Sequence, residues 1–223
     1  MLKIAVLIAG RGSNMLRLAE AIDELRLDAE IVIVMSNAVC AGIDSAAAHG
    51  LPVQIIKRSS YDSRQAHDRA IAAAIDNSGA DFVFLAGYMA ILGRHFVEKY
   101  ASRLINIHPS LLPAYKGLNT HQRVLDDKAN QHGATVHLVT TELDAGPIIA
   151  QAKLDVSDDD TATSLAARVL LIEHQIYPFV LAGLVEGWLT LSPTGAVWSD
   201  PEAALARMPD SMRLLLEPAL HWQ

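Results

Sequence analysis

The chain predicts an α/β fold: a mostly parallel twisted sheet with helices on both faces and an antiparallel addition in the C-terminal half. Three observations carry this expectation. Short β-branched apolar runs alternate with amphipathic helical runs through the first half, a glycine turn joins the first strand to the first helix, and two later strand-like runs are joined by a turn-forming bridge.

Leu2 to Ile8 and Glu30 to Met35 are apolar at successive positions, the pattern of strands covered on both faces. Between them, Asn14 to Leu27 sets Met15, Leu18, Ala19, Ile22 and Leu25 on one helical stripe, with Asn14 as the expected N-cap. A helix over Gly42 to His49 precedes a short strand, Val53 to Ile56. Asp62 to Asn77 repeats the amphipathic pattern and stops at Ser78-Gly79, a C-cap signal. Asp81 to Ala86 and Arg103 to Ile107 read as further buried strands. In the second half, Gly133 to Thr141 and Ile148 to Val156 flank Glu142-Leu143-Asp144-Ala145-Gly146-Pro147, which suits a hairpin. A long helix from Thr161 to Leu184 follows, then short strands at Trp188 to Leu191 and Ala196 to Ser199, and a tail or short helix over Arg207 to Gln223. The alternation is Rossmann-like, and such sheets hold ligands beyond the carboxyl ends of their strands.

Composition narrows the classes. With 18 basic against 25 acidic residues the net charge is −7, and no run of lysines or arginines supplies a nucleic-acid footprint. One cysteine, Cys40, forms no internal disulfide and fits a reducing, cytoplasmic setting. The apolar N-terminus ends at Gly10-Arg11-Gly12 with no small-x-small cleavage site, so a buried strand explains it better than an export signal. Uncharged stretches such as Phe82 to Gly93 fall short of a spanning helix, so no membrane partner is expected.

Two constellations point to chemistry. Ala9-Gly10-Arg11-Gly12-Ser13-Asn14 places glycines and polar side chains where a strand passes into a helix, a setting that attracts phosphate. It has no third glycine, no acidic residue ends the second strand, and no GK[ST] is present, which disfavours dinucleotides and phosphate-loop nucleoside triphosphatases. Asn106-Ile107-His108-Pro109 ends a strand, so Asn106 and His108 project to one face and could both donate to an oxygen gaining charge. Asp144 is the candidate carboxylate, since an ionised carboxyl beside an imidazole favours the imidazolium. The other histidines, including His121, His132, His137 and His174, lack metal-ligand spacing, so no metal is expected. No GxSxG elbow is present.

These residues resemble a known family. Gly12-Ser13-Asn14, Asn106-x-His108-Pro109-Ser110-Leu111-Leu112-Pro113, Gly117-Leu118-x-Thr120-His121 and Leu143-Asp144-x-Gly146-Pro147 stand in the order found in phosphoribosylglycinamide formyltransferases. The resemblance implies transfer of a formyl group from 10-formyltetrahydrofolate, a co-substrate, to the amine of glycinamide ribonucleotide in purine synthesis. It implies Asn106, His108 and Asp144 as the catalytic set, with Asp144 keeping His108 charged. It gives Gly12, Ser13, Asn14 and Glu173 to the ribonucleotide, and Arg64, Met89, Ala90, Ile91, Leu92 and Asn106 to the folate. Ala90 and Asn119 depart from the arginine and histidine common in relatives; alanine keeps the main-chain groups that would read the pterin, and the change of both side chains is expected to alter folate affinity rather than the chemistry. A single domain over 1–223 is expected, with a phosphate-loop half at 1–100, a catalytic and folate-binding half at 101–200 and a tail at 201–223, as a monomer or homodimer. Formyltetrahydrofolate hydrolase, which shares the catalytic trio, is the alternative.

Overall fold

A computed structural model describes residues 1–210, 213 and 220–221. The chain forms two compact units, Met1–Asn106 and Ile107–Gln223. The fold class is α/β with a mostly parallel mixed sheet, as the alternation of elements predicts.

The first unit carries β1 (Leu2–Ile8), α1 (Ser13–Glu24), β2 (Ala29–Ser36), α2 (Ala41–Ala48), β3 (Val53–Ile55), α3 (Arg64–Ser78), β4 (Phe82–Leu85), α4 (Arg94–Lys99) and the start of β5 (Leu104–His108). Its strands are all parallel, in the order β3-β2-β1-β4-β5. That order reverses direction between β1 and β4, and the loops that follow those two strands therefore flank the switch point at which doubly wound sheets bind ligands. Strand β1 is the axis of the core: Ile4 through Ile8 are wholly buried. Gly79 closes α3 in the left-handed region at φ 70°, the C-cap that Ser78-Gly79 announces. Tyr100 is buried, and its hydroxyl donates to Asp76 Oδ1 at 2.9 Å and lies 3.0 Å from the Ala72 carbonyl, tying the end of α4 to α3.

The second unit contains α5 (Thr120–Asp126), β6 (Gln131–Leu138), β7 (Ile148–Asp155), α6 (Ala162–Val185), β8 (Leu189–Ser192), β9 (Gly195–Trp198), α7 (Pro201–Ala206) and β10 (Leu220–His221). Strands β6 and β7 are antiparallel neighbours joined across the 139–147 bridge, as expected. Helix α6 starts with a capping box between Thr161 and Ser164 and packs against β6 and β7. Its length and apolar composition would suffice to cross a membrane, although Arg168 and Glu173 interrupt its uncharged stretches. Two thirds of that stretch is buried against the unit, as in a core helix.

Two readings are corrected, for the start of α1 and for the tail, while the short strands expected between 188 and 199 are found. Helix α1 begins at Ser13 and is capped by Gly12 at φ 76°, so Asn14 lies in the first turn and is not the N-cap. The 189–192 and 195–198 strands make a separate two-stranded sheet. Part of the supposed tail is regular: Asp200 accepts from Ala203 N at 2.8 Å and Pro201 opens α7, while β10 pairs antiparallel with β7. The rest of the tail lies outside the described residues.

Candidate active site

Pro109 ends β5, and the chain then folds into a loop anchored on buried hydrogen bonds. Ser110 Oγ donates to the Ala114 carbonyl at 2.7 Å. Thr135, fully buried on β6, donates to the Ser110 carbonyl at 2.6 Å and accepts from Leu112 N at 3.1 Å. Its cross-strand partner Gln151 donates to Thr135 Oγ1 and to the Leu112 carbonyl, each at 2.8 Å. A hydroxyl and an amide on paired strands thus satisfy the main chain of residues 110–112 where no ladder reaches it.

That loop turns at Tyr115 (φ 55°) and Gly117 (φ 79°), and the turn meets both predicted chemical groups of this unit. The Tyr115 carbonyl stands 3.0 Å from His108 Nε2. A carbonyl only accepts, so Nε2 carries a proton there. The Gly117 amide donates to Asp144 Oδ2 at 2.9 Å, and the same oxygen is 3.5 Å from His108 Nδ1. His108 and Asp144 are nearly enclosed, with side chains 8% and 9% exposed. The pair is therefore brought together as expected, from a strand end and a bridge far apart in the chain. Asp144 holds φ 46°, a left-handed conformation that aspartate tolerates better than most residues. A cleft of about 590 Å³, lined by Leu112, Pro113, Lys116, Gly146 and Thr194 among others, borders Asp144.

A second imidazole, on β6, also faces Asp144. His137 donates from Nδ1 to the Leu138 carbonyl at 2.9 Å and points Nε2 at Asp144 Oδ1, 3.9 Å away. Burial pushes its pKa below the ordinary histidine value, against the opposing pull of that hydrogen bond and of Asp144. His121 and His132, which lack metal-ligand spacing in the sequence, share a hydrogen bond of 3.0 Å. Burial first, then the neighbouring His121 and His108, pushes His132 down to about 4. Among the described residues, no group of three potential metal ligands forms.

Asn106 closes the first unit, two residues before His108 on β5, so the strand's alternation sets both on one face. In the first unit, of the residues expected at the phosphate, Gly12 caps α1 and Ser13 and Asn14 open it. Gly42 on α2 was missed, yet its amide donates to the Gly10 carbonyl at 2.9 Å and braces the loop. On the loop after β4, Met89 and Ile91 are exposed, Ala90 and Leu92 half-buried. The Gly93 amide donates to Asp68 Oδ2 at 2.8 Å, and a methyl at Gly93 would sit 3.9 Å from Arg64 Nε, so the two expected folate-side segments adjoin. Glu173 lies on α6 in the second unit, buried. Asn119 caps α5 at φ 57°, where asparagine is favoured over histidine's bulk.

The fold alone does not define an activity, and comparison with known proteins gives this α/β chain its class. Residues 2–181 match the formyl transferase family, and the chain belongs to it; it is a transferase. Among individual proteins it is 42% identical over 200 residues to phosphoribosylglycinamide formyltransferase of Escherichia coli, covering 89% of this chain and 94% of that one. It is also 42% identical to the trifunctional purine biosynthetic protein adenosine-3 of Bos taurus, covering 87% of this chain but 19% of the longer protein. Of solved structures, the phosphoribosylglycinamide formyltransferase of Coxiella burnetii superposes with a TM-score of 0.85 at 41% identity, covering 89% and 93% of the two chains. That of Brucella melitensis gives 0.79 at 45% identity, covering 86% and 99%.

Proposed function

We propose that this protein transfers the formyl group of 10-formyltetrahydrofolate to the amine of glycinamide ribonucleotide in purine synthesis. The observation that carries the reading is the enclosed His108 and Asp144 pair, bracketed by main-chain groups of one turn. With Nε2 held by the Tyr115 carbonyl, Nδ1 is the working nitrogen. At 3.5 Å from Asp144 it is only loosely engaged, which leaves its proton to an incoming oxygen.

The substrate amine attacks the formyl carbon, and charge gathers on the formyl oxygen. Protonated His108, through Nδ1, and the Asn106 amide donate to that oxygen, while Asp144 supplies the negative charge opposite the imidazolium. Collapse expels the folate nitrogen, which receives the proton the amine loses, through water. The loop of Gly12, Ser13 and Asn14 takes the phosphate at a helix start, and Glu173 meets the same substrate. Arg64, with the apolar run Met89 to Leu92 whose Met89 and Ile91 are exposed, takes the folate. Substrate identities rest on the likeness to phosphoribosylglycinamide formyltransferases.

One assay decides between transfer and its relatives. The protein is mixed with 10-formyltetrahydrofolate, with and without glycinamide ribonucleotide, and deformylated folate is followed. Release that depends on the amine is expected; equal release without it would make the protein a hydrolase, and none in either sample would leave a binding module.

A further inference from the structure

The turn that brackets His108 and Asp144 is itself gripped by one helix. Arg123 on α5 donates from Nη1 to the Lys116 carbonyl at 2.7 Å, and its guanidinium lies 5.4 Å from the centre of the Tyr115 ring. Just past the end of α5, Asp127 acts on the Tyr115 hydroxyl, whose pKa is raised by burial first and then by that carboxylate. Tyr115 is thus held through its ring, and Lys116 at its carbonyl. The two groups that matter to the chemistry, the Tyr115 carbonyl and the Gly117 amide, lie directly on either side of Lys116.

Tyr115 stands at φ 55°, a conformation that costs a non-glycine residue energy and persists only where its surroundings impose it. The Lys116 carbonyl shares its peptide unit with the Gly117 amide, so without the guanidinium that unit keeps only its hydrogen bond to Asp144, and the turn can rotate the Tyr115 carbonyl one peptide earlier. A rotated carbonyl would no longer define which imidazole nitrogen bears the proton.

From this geometry we infer that Arg123 is a positioning residue: by fixing the 115–117 turn it holds His108 with Nε2 protonated and Nδ1 turned toward Asp144. This rests on the formyl-transfer reading for its kinetic consequence, but not for its structural one. Arg123 touches no reacting atom. Its effect is carried by one main-chain carbonyl and one main-chain amide, and a misplacement of about 1 Å at a catalytic group can cost on the order of 10²-fold in rate.

The test compares wild type with Arg123→Met, which keeps the aliphatic stem, and Arg123→Lys, which can still reach the Lys116 carbonyl with one donor. Two readouts are taken. Steady-state kinetics should show kcat reduced roughly 10-fold or more in Arg123→Met, with both KM values within about twofold of wild type and partial recovery in Arg123→Lys. Long-range proton–nitrogen correlation spectra of the imidazoles, recorded where His108 is neutral, should show a single Nε2–H tautomer in wild type and a mixture in Arg123→Met. If either readout matches wild type in Arg123→Met, the positioning role is overturned. If wild type itself transfers no formyl group, the functional reading fails and the spectra alone decide this one.

Discussion

His108 Nδ1 and Asp144 Oδ2 stand 3.5 Å apart while the Gly117 amide already donates to that same oxygen at 2.9 Å. The carboxylate is thus held by the backbone and offers the imidazole its charge more than a tight hydrogen bond. Replacing it by an amide separates those two roles, since Asp144→Asn can still accept from Gly117 and still tolerates φ 46°. Turnover should fall by at least about 10²-fold with little change in thermal stability. Near-native turnover in that variant would remove Asp144 from the chemistry.

Thr135 holds three groups at once, the Ser110 carbonyl, the Leu112 amide and the Gln151 side chain. Thr135→Val keeps the shape and deletes the hydroxyl, leaving buried main-chain groups unmet. We expect a loss of about 1–3 kcal/mol in urea unfolding, with Thr135→Ser close to wild type. A Thr135→Val midpoint indistinguishable from wild type would mean the loop satisfies itself in another way.

What was legible in the sequence follows from range. Strands β1, β2, β6 and β7 and helices α3 and α6 announce themselves through local periodicity and caps such as Gly79 and Thr161. Helices α4 and α5, six and seven residues long, are too short to display a stripe and were absent from the reading. At the site, His108 and Asp144 could be nominated by residue type and motif. The Tyr115 carbonyl, the Thr135–Gln151 clamp and the His121–His132 pair could not, because they depend on main-chain atoms or on strand register that no local pattern encodes.

His132 sets a pH dependence of stability. Its pKa is about 4 in the folded protein, lowered first by burial, against an ordinary value of 6.5. As pH falls below 6.5 the unfolded chain takes up a proton that the folded one refuses until pH approaches 4. Stability is therefore complete above 6.5 and declines between 6.5 and 4. Urea midpoints measured from pH 7.5 to 5 should fall more steeply for wild type than for His132→Gln. A residual slope should persist in the variant, because His121 and His137 are lowered as well. Parallel slopes in the two proteins would show that His132 titrates normally.

Gly42 sets the shape of the 10–12 loop, proposed above to take the phosphate, from a neighbouring helix. A Cβ at this position would lie 2.7 Å from Ile8 Cδ1, 2.8 Å from the Gly10 carbonyl oxygen and 3.1 Å from Gly12 Cα. The isoleucine tip can swing aside, but the Gly10 carbonyl and Gly12 Cα are backbone, so Gly42→Ala must displace the loop that begins α1. The displacement leaves the His108 and Asp144 groups, which belong to the other unit, chemically unchanged. KM for the ribonucleotide should therefore rise roughly 10-fold, equivalent to about 1.4 kcal/mol, while kcat and KM for the folate stay within about twofold. Equal losses in both KM values would point to general unfolding of the first unit, and an unchanged ribonucleotide KM would show that the phosphate binds elsewhere.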